Sequence, residues 1–149
     1  MSNRAATQFN FYGFVVRASA SLAERVDDIH LDFSYFATEQ DNAPADLALH
    51  FHSDSERPTL PSVAASLHTP RNIVFRDGGT SYLDYGGRGL AVSTHNGKHF
   101  DIYCDDRDLA HEIAFLTVLS FLGSHLDRAG LVRVHALGLE ALVVDPSFV

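Results

Sequence analysis

The hydrophobic pattern of residues 105–130 predicts one long helix. Its body, residues 113–122, is apolar nearly all round, so we expect it to be buried on more than one side. Gly130 suits the left-handed position that follows a last helical turn. The N-cap and first turn of a helix favour negative charge, and three carboxylates stand there: Asp105, Asp106 and Asp108.

Alternation of apolar and polar residues predicts strands in the first half of the chain. Residues 46–53 place apolar side chains on one face, and the opposite face carries His50 and His52. Aromatic and β-branched residues in 9–18 predict an earlier strand, with Gly13 as a bulge or a position of close backbone approach. Between them, a helix capped by Ser19 or Ser21 is expected to reach about Ile29.

Turn residues divide the middle of the chain into short segments. Residues 54–70 contain several prolines and predict a loop, with a short helical turn near 62–67. From residue 72 onward, Asp-Gly, Gly-Gly and Asn-Gly pairs separate four runs of strand-like sequence. Such pairs favour tight hairpins, so an antiparallel meander is expected up to Cys104.

These elements together predict an α+β fold. We expect an antiparallel β-meander with one long buried helix and one shorter helix, followed by a strand pair that leads to the C-terminus. The strand pair corresponds to residues 131–139 and 141–144, where apolar residues alternate or run together. With 149 residues, 46% of them hydrophobic, the chain is expected to form a single domain spanning 1–149.

Composition excludes some classes of partner. The net charge of −8 argues against a nucleic-acid interface and against an anionic membrane surface, because both select basic patches. Residues 1–9 are polar and predict no secretion signal, and the apolar part of the long helix is shorter than the ~20 residues that a bilayer needs. Cys104 is the single cysteine and is expected to be a buried structural thiol. Because one cysteine cannot form an internal disulfide, the sequence fits a reducing compartment and favours a cytoplasmic location.

Nine histidines raise a metal hypothesis. His50 and His52 share one strand face, but the sequence indicates no third ligand among His95, His99 and His111. The three aspartates before the long helix suit a general base, yet helix capping explains each of them. Standard enzyme motifs are absent, so the sequence leaves open whether the chain is an enzyme.

The segment 126–144, LDRAGLVRVHALGLEALVV, carries a family resemblance. It resembles the lead-in to the P-loop of kinases related to HPr kinase/phosphorylase, the phosphoenolpyruvate-carboxykinase-like P-loop group. Val134-His135-Ala136 is similar to the histidine step of that family, and 141–144 is similar to its apolar strand. The resemblance implies that His135 lies near the transferred phosphate and is the catalytic residue retained here.

The phosphate loop of that family has no counterpart in this sequence. After Val144 the family has Gly-x-x-x-x-Gly-Lys-Ser/Thr, whereas this chain reads Asp-Pro-Ser-Phe-Val, and its only lysine is Lys98. We therefore expect no kinase activity and no cofactor in this chain, with ATP and Mg²⁺ bound only if a P-loop region is supplied. The resemblance implies an N-terminal scaffold or recognition fragment of a larger kinase-like protein, an HPr-kinase-like ATP-dependent serine kinase. Its expected partners are a protein substrate or the remainder of the kinase.

An alternative function stays open from the residues alone. The second hypothesis, after the kinase fragment, is a stand-alone α+β interaction or small-ligand-binding domain without enzymatic activity. Its binding surface would then be a sheet face with four aromatic residues, Phe11, Tyr12, Tyr82 and Tyr85. A third class, a histidine metalloprotein, would use His50 and His52.

Overall fold

The computed structural model describes residues 4–40, 43–94 and 96–130. Within these ranges the fold is α+β, as predicted, with two helices packed on one face of a nine-stranded sheet. The helices are α1 (Ala23–Asp32) and α2 (Arg107–Arg128). The strands are β1 (Ala6–Phe11), β2 (Phe14–Ala20), β3 (Ala37–Thr38), β4 (Leu47–His52), β5 (Leu67–His68), β6 (Ile73–Asp77), β7 (Thr80–Asp84), β8 (Leu90–Thr94) and β9 (His99–Tyr103).

The sheet is mixed rather than purely antiparallel. Its strand order is β3-β1-β2-β4-β9-β8-β7-β6-β5. The meander from β6 to β9 is antiparallel, which confirms that part of the prediction. The central strands β2, β4 and β9 are parallel instead, so the antiparallel expectation is wrong for the centre. The physical reason is that α1 carries the chain back across the sheet between β2 and β4, as a crossover connection does.

The first predicted strand is in fact a hairpin. Tyr12 (φ 55°) and Gly13 (φ 95°) both have positive φ angles and form a tight turn between β1 and β2. The Asn10 side-chain oxygen accepts a hydrogen bond of 2.7 Å from the Gly13 N–H. Two positive φ angles in a two-residue loop match the twist of a hairpin, so Gly13 is a turn residue and not a bulge.

Two smaller predictions also need correction. Helix α1 begins after Leu22, which makes no side-chain cap, so neither Ser19 nor Ser21 caps it. Ser19 lies inside β2, where its hydroxyl contacts a histidine of β4. No helical turn forms at residues 62–67; the extended strand β5 begins at Leu67.

The core lies between the helices and one sheet face. In register across the sheet, Ala20, Phe51, Ile102 and Ala91 stand side by side on successive strands and are buried. Val118 of α2 is completely buried against this face. The apolar alternation of β4 is therefore confirmed, and the opposite sheet face carries the polar residues.

Helix α2 is partly buried rather than buried all round. Its buried residues form one stripe that includes Ile113 and Leu126, whereas Leu116 is 40% exposed. Asp106 caps the helix by accepting from the Leu109 N–H at 3.1 Å, as predicted. The φ of +76° at Gly130 confirms the predicted helix end.

By length and composition, α2 is apolar enough to cross a membrane. It has 22 residues, with a mean hydropathy of 1.3 over an 18-residue window, which departs from our expectation that its apolar part is too short. Core helices that pack on a sheet meet the same criterion, and α2 contacts β2, β4 and β9. Cys104, just before this helix, is 3% exposed, and burial raises the pKa of its thiol, so it is the expected structural thiol.

Candidate functional site

Three parallel strands bring polar residues together on the sheet face opposite the helices. Ser19 of β2, His50 of β4 and Asp101 of β9 are register partners across these strands. Register partners point to the same face, so the three side chains form one row. His52 and His99 occupy the same face in the neighbouring rows. We call His50, His52, His99 and Asp101 the imidazole cluster.

Asp101 holds two of the imidazoles. His52 Nε2 donates to one carboxylate oxygen of Asp101 at 2.7 Å, and His99 Nε2 lies 3.2 Å from the other. On its other side, the His52 ring has Nδ1 3.8 Å from a carboxylate oxygen of Glu56. A carboxylate between two imidazoles fixes the orientation of both rings and stabilises either one when it is protonated.

His50 belongs to the cluster but has a different partner. Its Nδ1 lies 2.6 Å from the Ser19 hydroxyl oxygen, and its ring is 4.5 Å from the His52 ring. Burial holds the pKa of His50 below its usual value, and the nearby His52 lowers it further. A lowered pKa means that His50 is neutral at neutral pH, with a ring nitrogen able to accept or donate a proton.

A cleft opens beside the cluster, at the carboxyl ends of β2 and β4. Its volume is about 460 Å³. Parallel strands commonly leave a ligand-binding crevice at this end. The polar residues that line it are Ser21, Arg25, His52, Ser53, Ser55 and Glu56.

Arg25 is the buried charge of this cleft. It is 7% exposed and donates to a carboxylate oxygen of Glu24 at 3.1 Å and to the backbone carbonyl of Asp105 at 2.9 Å. These contacts join α1 to the residues that precede α2. Arg25 therefore has a structural role, and its positive charge also contributes to the potential in the cleft.

The arrangement favours binding over covalent catalysis. A hydroxyl beside a neutral imidazole, as at Ser19 and His50, is the first half of a nucleophile and base pair. The second half is a carboxylate that orients the base, but Asp101 contacts His52 and His99 instead. Hydrogen-bonding groups and a cleft are present, but the described residues do not form the serine–histidine–carboxylate triad of a hydrolase.

The metal hypothesis gains no third ligand in the part of the chain that the structure describes. There, no three His, Cys, Asp or Glu side chains are arranged to hold a metal ion. His50 and His52 do share a face as predicted, but one ring nitrogen of each already makes a hydrogen bond, His50 Nδ1 with Ser19 and His52 Nε2 with Asp101. His95 lies outside the described residues.

The remaining predicted site residues fall in different places. His135 and the strand pair at 131–139 and 141–144 lie outside the described residues. Asp105 accepts hydrogen bonds from the Ser53 hydroxyl and the Asp54 N–H, which agrees with a structural role.

The four aromatic residues of the alternative function do not form one surface. Phe11 is 1% exposed and belongs to the core, so its predicted place in a binding surface is wrong. Tyr12 is 67% exposed at the first hairpin, whereas Tyr82 and Tyr85 are half-buried. Burial also raises the pKa of the Tyr85 phenol.

Sequence reasoning missed Asp101, the residue that organises the cluster. The alternation of His99, Asp101 and Tyr103 along β9 gave a signal that these side chains share one face. The missing information was the parallel pairing of β9 with β4, which places Asp101 beside His50.

Comparison with known proteins identifies no family for this chain: no family model matches it, and no curated protein or solved structure is significantly similar to it. Its function must therefore be inferred from the residues, the geometry and the resemblance given above.

Proposed function

We propose that this chain is the N-terminal recognition domain of an HPr-kinase-like ATP-dependent serine kinase and has no catalytic activity of its own. The observation that carries the proposal is that the described residues up to Gly130 pack around a core of their own. Leu126, where the resembling segment starts, is a buried residue near the end of α2. The resembling segment thus begins at the end of this packed unit.

The chemistry of the described residues supports a non-catalytic role. Phosphoryl transfer depends on groups that hold phosphates and metal ions in position. Lys98, the only lysine of the chain, is exposed beside the turn between β8 and β9, far in sequence from the resembling segment. ATP and Mg²⁺ would therefore be held by a separate P-loop region.

Recognition is assigned to the imidazole cluster and the cleft beside it. Both offer half-exposed donors and acceptors that are already fixed in orientation by Asp101 and the sheet register. Preorganised polar groups bind a partner at a lower entropic cost than mobile ones. The partner is a protein substrate or the remainder of the kinase.

Calorimetry with MgATP tests this proposal. We would titrate this chain and the longest version that its locus encodes. Binding by the longer version alone is the expected result, and His135→Ala in that version should reduce phosphoryl transfer. Binding by neither version would overturn the proposal.

A matched control substitutes a cation outside both proposed sites. Arg76→Ala in the longer version should leave ATP affinity unchanged, because Arg76 is an exposed residue of β6 and lies outside the segment that resembles the lead-in to the phosphate loop. Loss of ATP binding in this variant would contradict the assigned role of the P-loop region.

Two features favour the alternative, a stand-alone small-ligand-binding domain. One is the cleft of about 460 Å³, and the other is the shortness of the strands at the sheet edges. The edge strands among the described residues, β3 and β5, have two residues each and expose few free backbone groups. If neither version binds ATP and this chain unfolds cooperatively as a monomer or dimer, this alternative replaces the kinase role.

A further inference from the structure

Two cationic side chains that have no partner among the described residues line one cavity of this acidic chain. Most arginines contact a carboxylate or a carbonyl group: Arg4, Arg17, Arg25, Arg57, Arg71, Arg88 and Arg107. The side chains of Lys98 and Arg128 make no hydrogen bond or ion pair with any residue that the structure describes, and the same holds for the side chain of Arg76 on β6. Unpaired cations are unexpected where carboxylates outnumber them, since the net charge is −8.

The cavity lies at the end of the sheet opposite the cleft described above. Its volume is about 360 Å³, near the lower end of the range for small-molecule pockets. The last turns of α2, the turn between β8 and β9, and the starts of β2 and β4 surround it. The residues that bear on binding are Phe14, Asp46, Lys98, Phe121, His125 and Arg128.

Positive charge exceeds negative charge in this cavity. Among the described residues that line it, Asp46 is the one carboxylate, and it already accepts a hydrogen bond of 2.8 Å from the Val15 N–H. Lys98 and Arg128 both remain exposed, so their charges are available to a ligand. Two cations that share a cavity repel each other, and an anion bound between them would remove that cost.

Aromatic rings form the inner wall. Phe14 is 6% exposed, and its ring lies 5.3 Å from the His125 ring. His125 is held in place because its Nε2 donates to the backbone carbonyl of Tyr12 at 3.2 Å. On the other side, Phe121 packs against the turn at Gly97, where a Cβ atom would lie 3.0 Å from the ring. The cavity thus combines a rigid aromatic wall with a cationic rim.

We propose that this cavity binds a small organic anion, in which a phosphate or carboxylate group contacts Lys98 and Arg128 and a planar or apolar body packs on Phe14 and Phe121. Charge-assisted hydrogen bonds from a lysine and an arginine fix the anionic group. The inference does not depend on the proposed kinase role, because the cavity lies at the end of the sheet opposite the cleft to which recognition is assigned.

Calorimetric titration of this chain with phenyl phosphate, with benzoate and with neutral benzyl alcohol tests the inference. We expect binding of at least one of the two anions, weakening as salt rises, and no binding of benzyl alcohol. Binding of phenyl phosphate alone identifies a phosphate site, and binding of benzoate alone identifies a carboxylate site. Equal binding of benzyl alcohol would overturn the inference.

Matched variants locate the binding. Lys98→Ala and Arg128→Ala should each weaken anion binding about tenfold, since each removes a charge-assisted contact. Arg76→Ala is the control, because it removes an equally unpaired cation from another part of the sheet. All three residues are exposed, so thermal unfolding should be unchanged. The inference is wrong if neither anion binds at a ligand concentration of about 10 mM, which exceeds a dissociation constant of about 1 mM. It is also wrong if an anion binds but neither Lys98→Ala nor Arg128→Ala weakens the binding.

Discussion

The pair formed by His52 and Asp101 can be tested by a double-mutant cycle. The perturbations are Asp101→Asn and His52→Gln, alone and together. Asparagine keeps the shape of the side chain but removes the negative charge of a carboxylate that accepts a hydrogen bond of 2.7 Å from His52 and whose other oxygen lies 3.2 Å from His99 Nε2. Its amide oxygen replaces only one of the two carboxylate oxygens, and the NH₂ group that replaces the other is a donor.

The structure sets the size of the expected coupling. A hydrogen bond to a charged group contributes roughly 1.5–3 kcal/mol when it is well buried. Both side chains are 23% exposed, so solvent screens part of this value. We therefore expect Asp101→Asn to lower the free energy of unfolding by about 1–2 kcal/mol, with a coupling of about 1 kcal/mol to His52→Gln.

Urea unfolding of the natural protein, the two single variants and the double variant measures this coupling. We choose pH 8 because histidine is ordinarily neutral at that pH. Asp77→Asn is the control substitution, because the Asp77 carboxylate is exposed and makes no hydrogen bond within the described residues. It should change the free energy of unfolding by less than about 0.5 kcal/mol. Additivity of the two site substitutions to within about 0.5 kcal/mol would refute the pairing on which the imidazole cluster depends.

Two further predictions concern the fold. The hydrogen bond from Arg107 is the main cause of the lowered pKa of Asp28. The pair therefore stabilises the folded protein at any pH above the unfolded-state pKa of about 4. Its contribution is lost as the pH falls through the folded-state pKa. The stability difference between the natural protein and Arg107→Gln, followed by urea unfolding from pH 7 to pH 2.5, should therefore be constant at first and then vanish; a difference that grows in acid would contradict this sign. Gly97 has a φ of +82°, and a Cβ atom there would lie 3.0 Å from the Phe121 ring, so Gly97→Ala should cost about 1–3 kcal/mol in thermal or urea unfolding. Gly79→Ala is the control, because Gly79 lies at a turn, has open space around it and does not have a left-handed φ. This substitution should change the free energy of unfolding by less than about 0.5 kcal/mol. Equal losses in both variants would show that the left-handed backbone at Gly97 is not the cause.

Local patterns predicted the elements whose signals are local. The alternation in β4 separated Leu49 from His50 correctly, and the Asn96-Gly97 pair marked a true hairpin turn. Asp106 was recognised as a helix cap for the same reason, because a cap depends on its nearest neighbours alone. The turn at Tyr12 was missed, since tyrosine rarely adopts a positive φ and gives no turn signal.

The candidate site could not be predicted because its assembly depends on distant pairing. His50 and Asp101 are separated by about fifty residues in the chain and meet only because β4 and β9 are parallel neighbours. Nothing in either segment specifies that partner, since both alternate in the same way. The cationic cavity has the same origin: Lys98 and Arg128 come from a hairpin and a helix end that tertiary packing brings together.

The imidazole cluster and the core are held in place by one constraint, the register of the central strands. In β4 and β9 the core residues Phe51 and Phe100 alternate with His50 and Asp101. A slip of one residue would turn the phenylalanines onto the polar face and bury the histidine and the aspartate among apolar side chains. Such a slip costs both hydrophobic burial and the desolvation of polar groups. Substitutions that weaken the core face of these strands should therefore also disturb the cluster, even where they touch none of its residues.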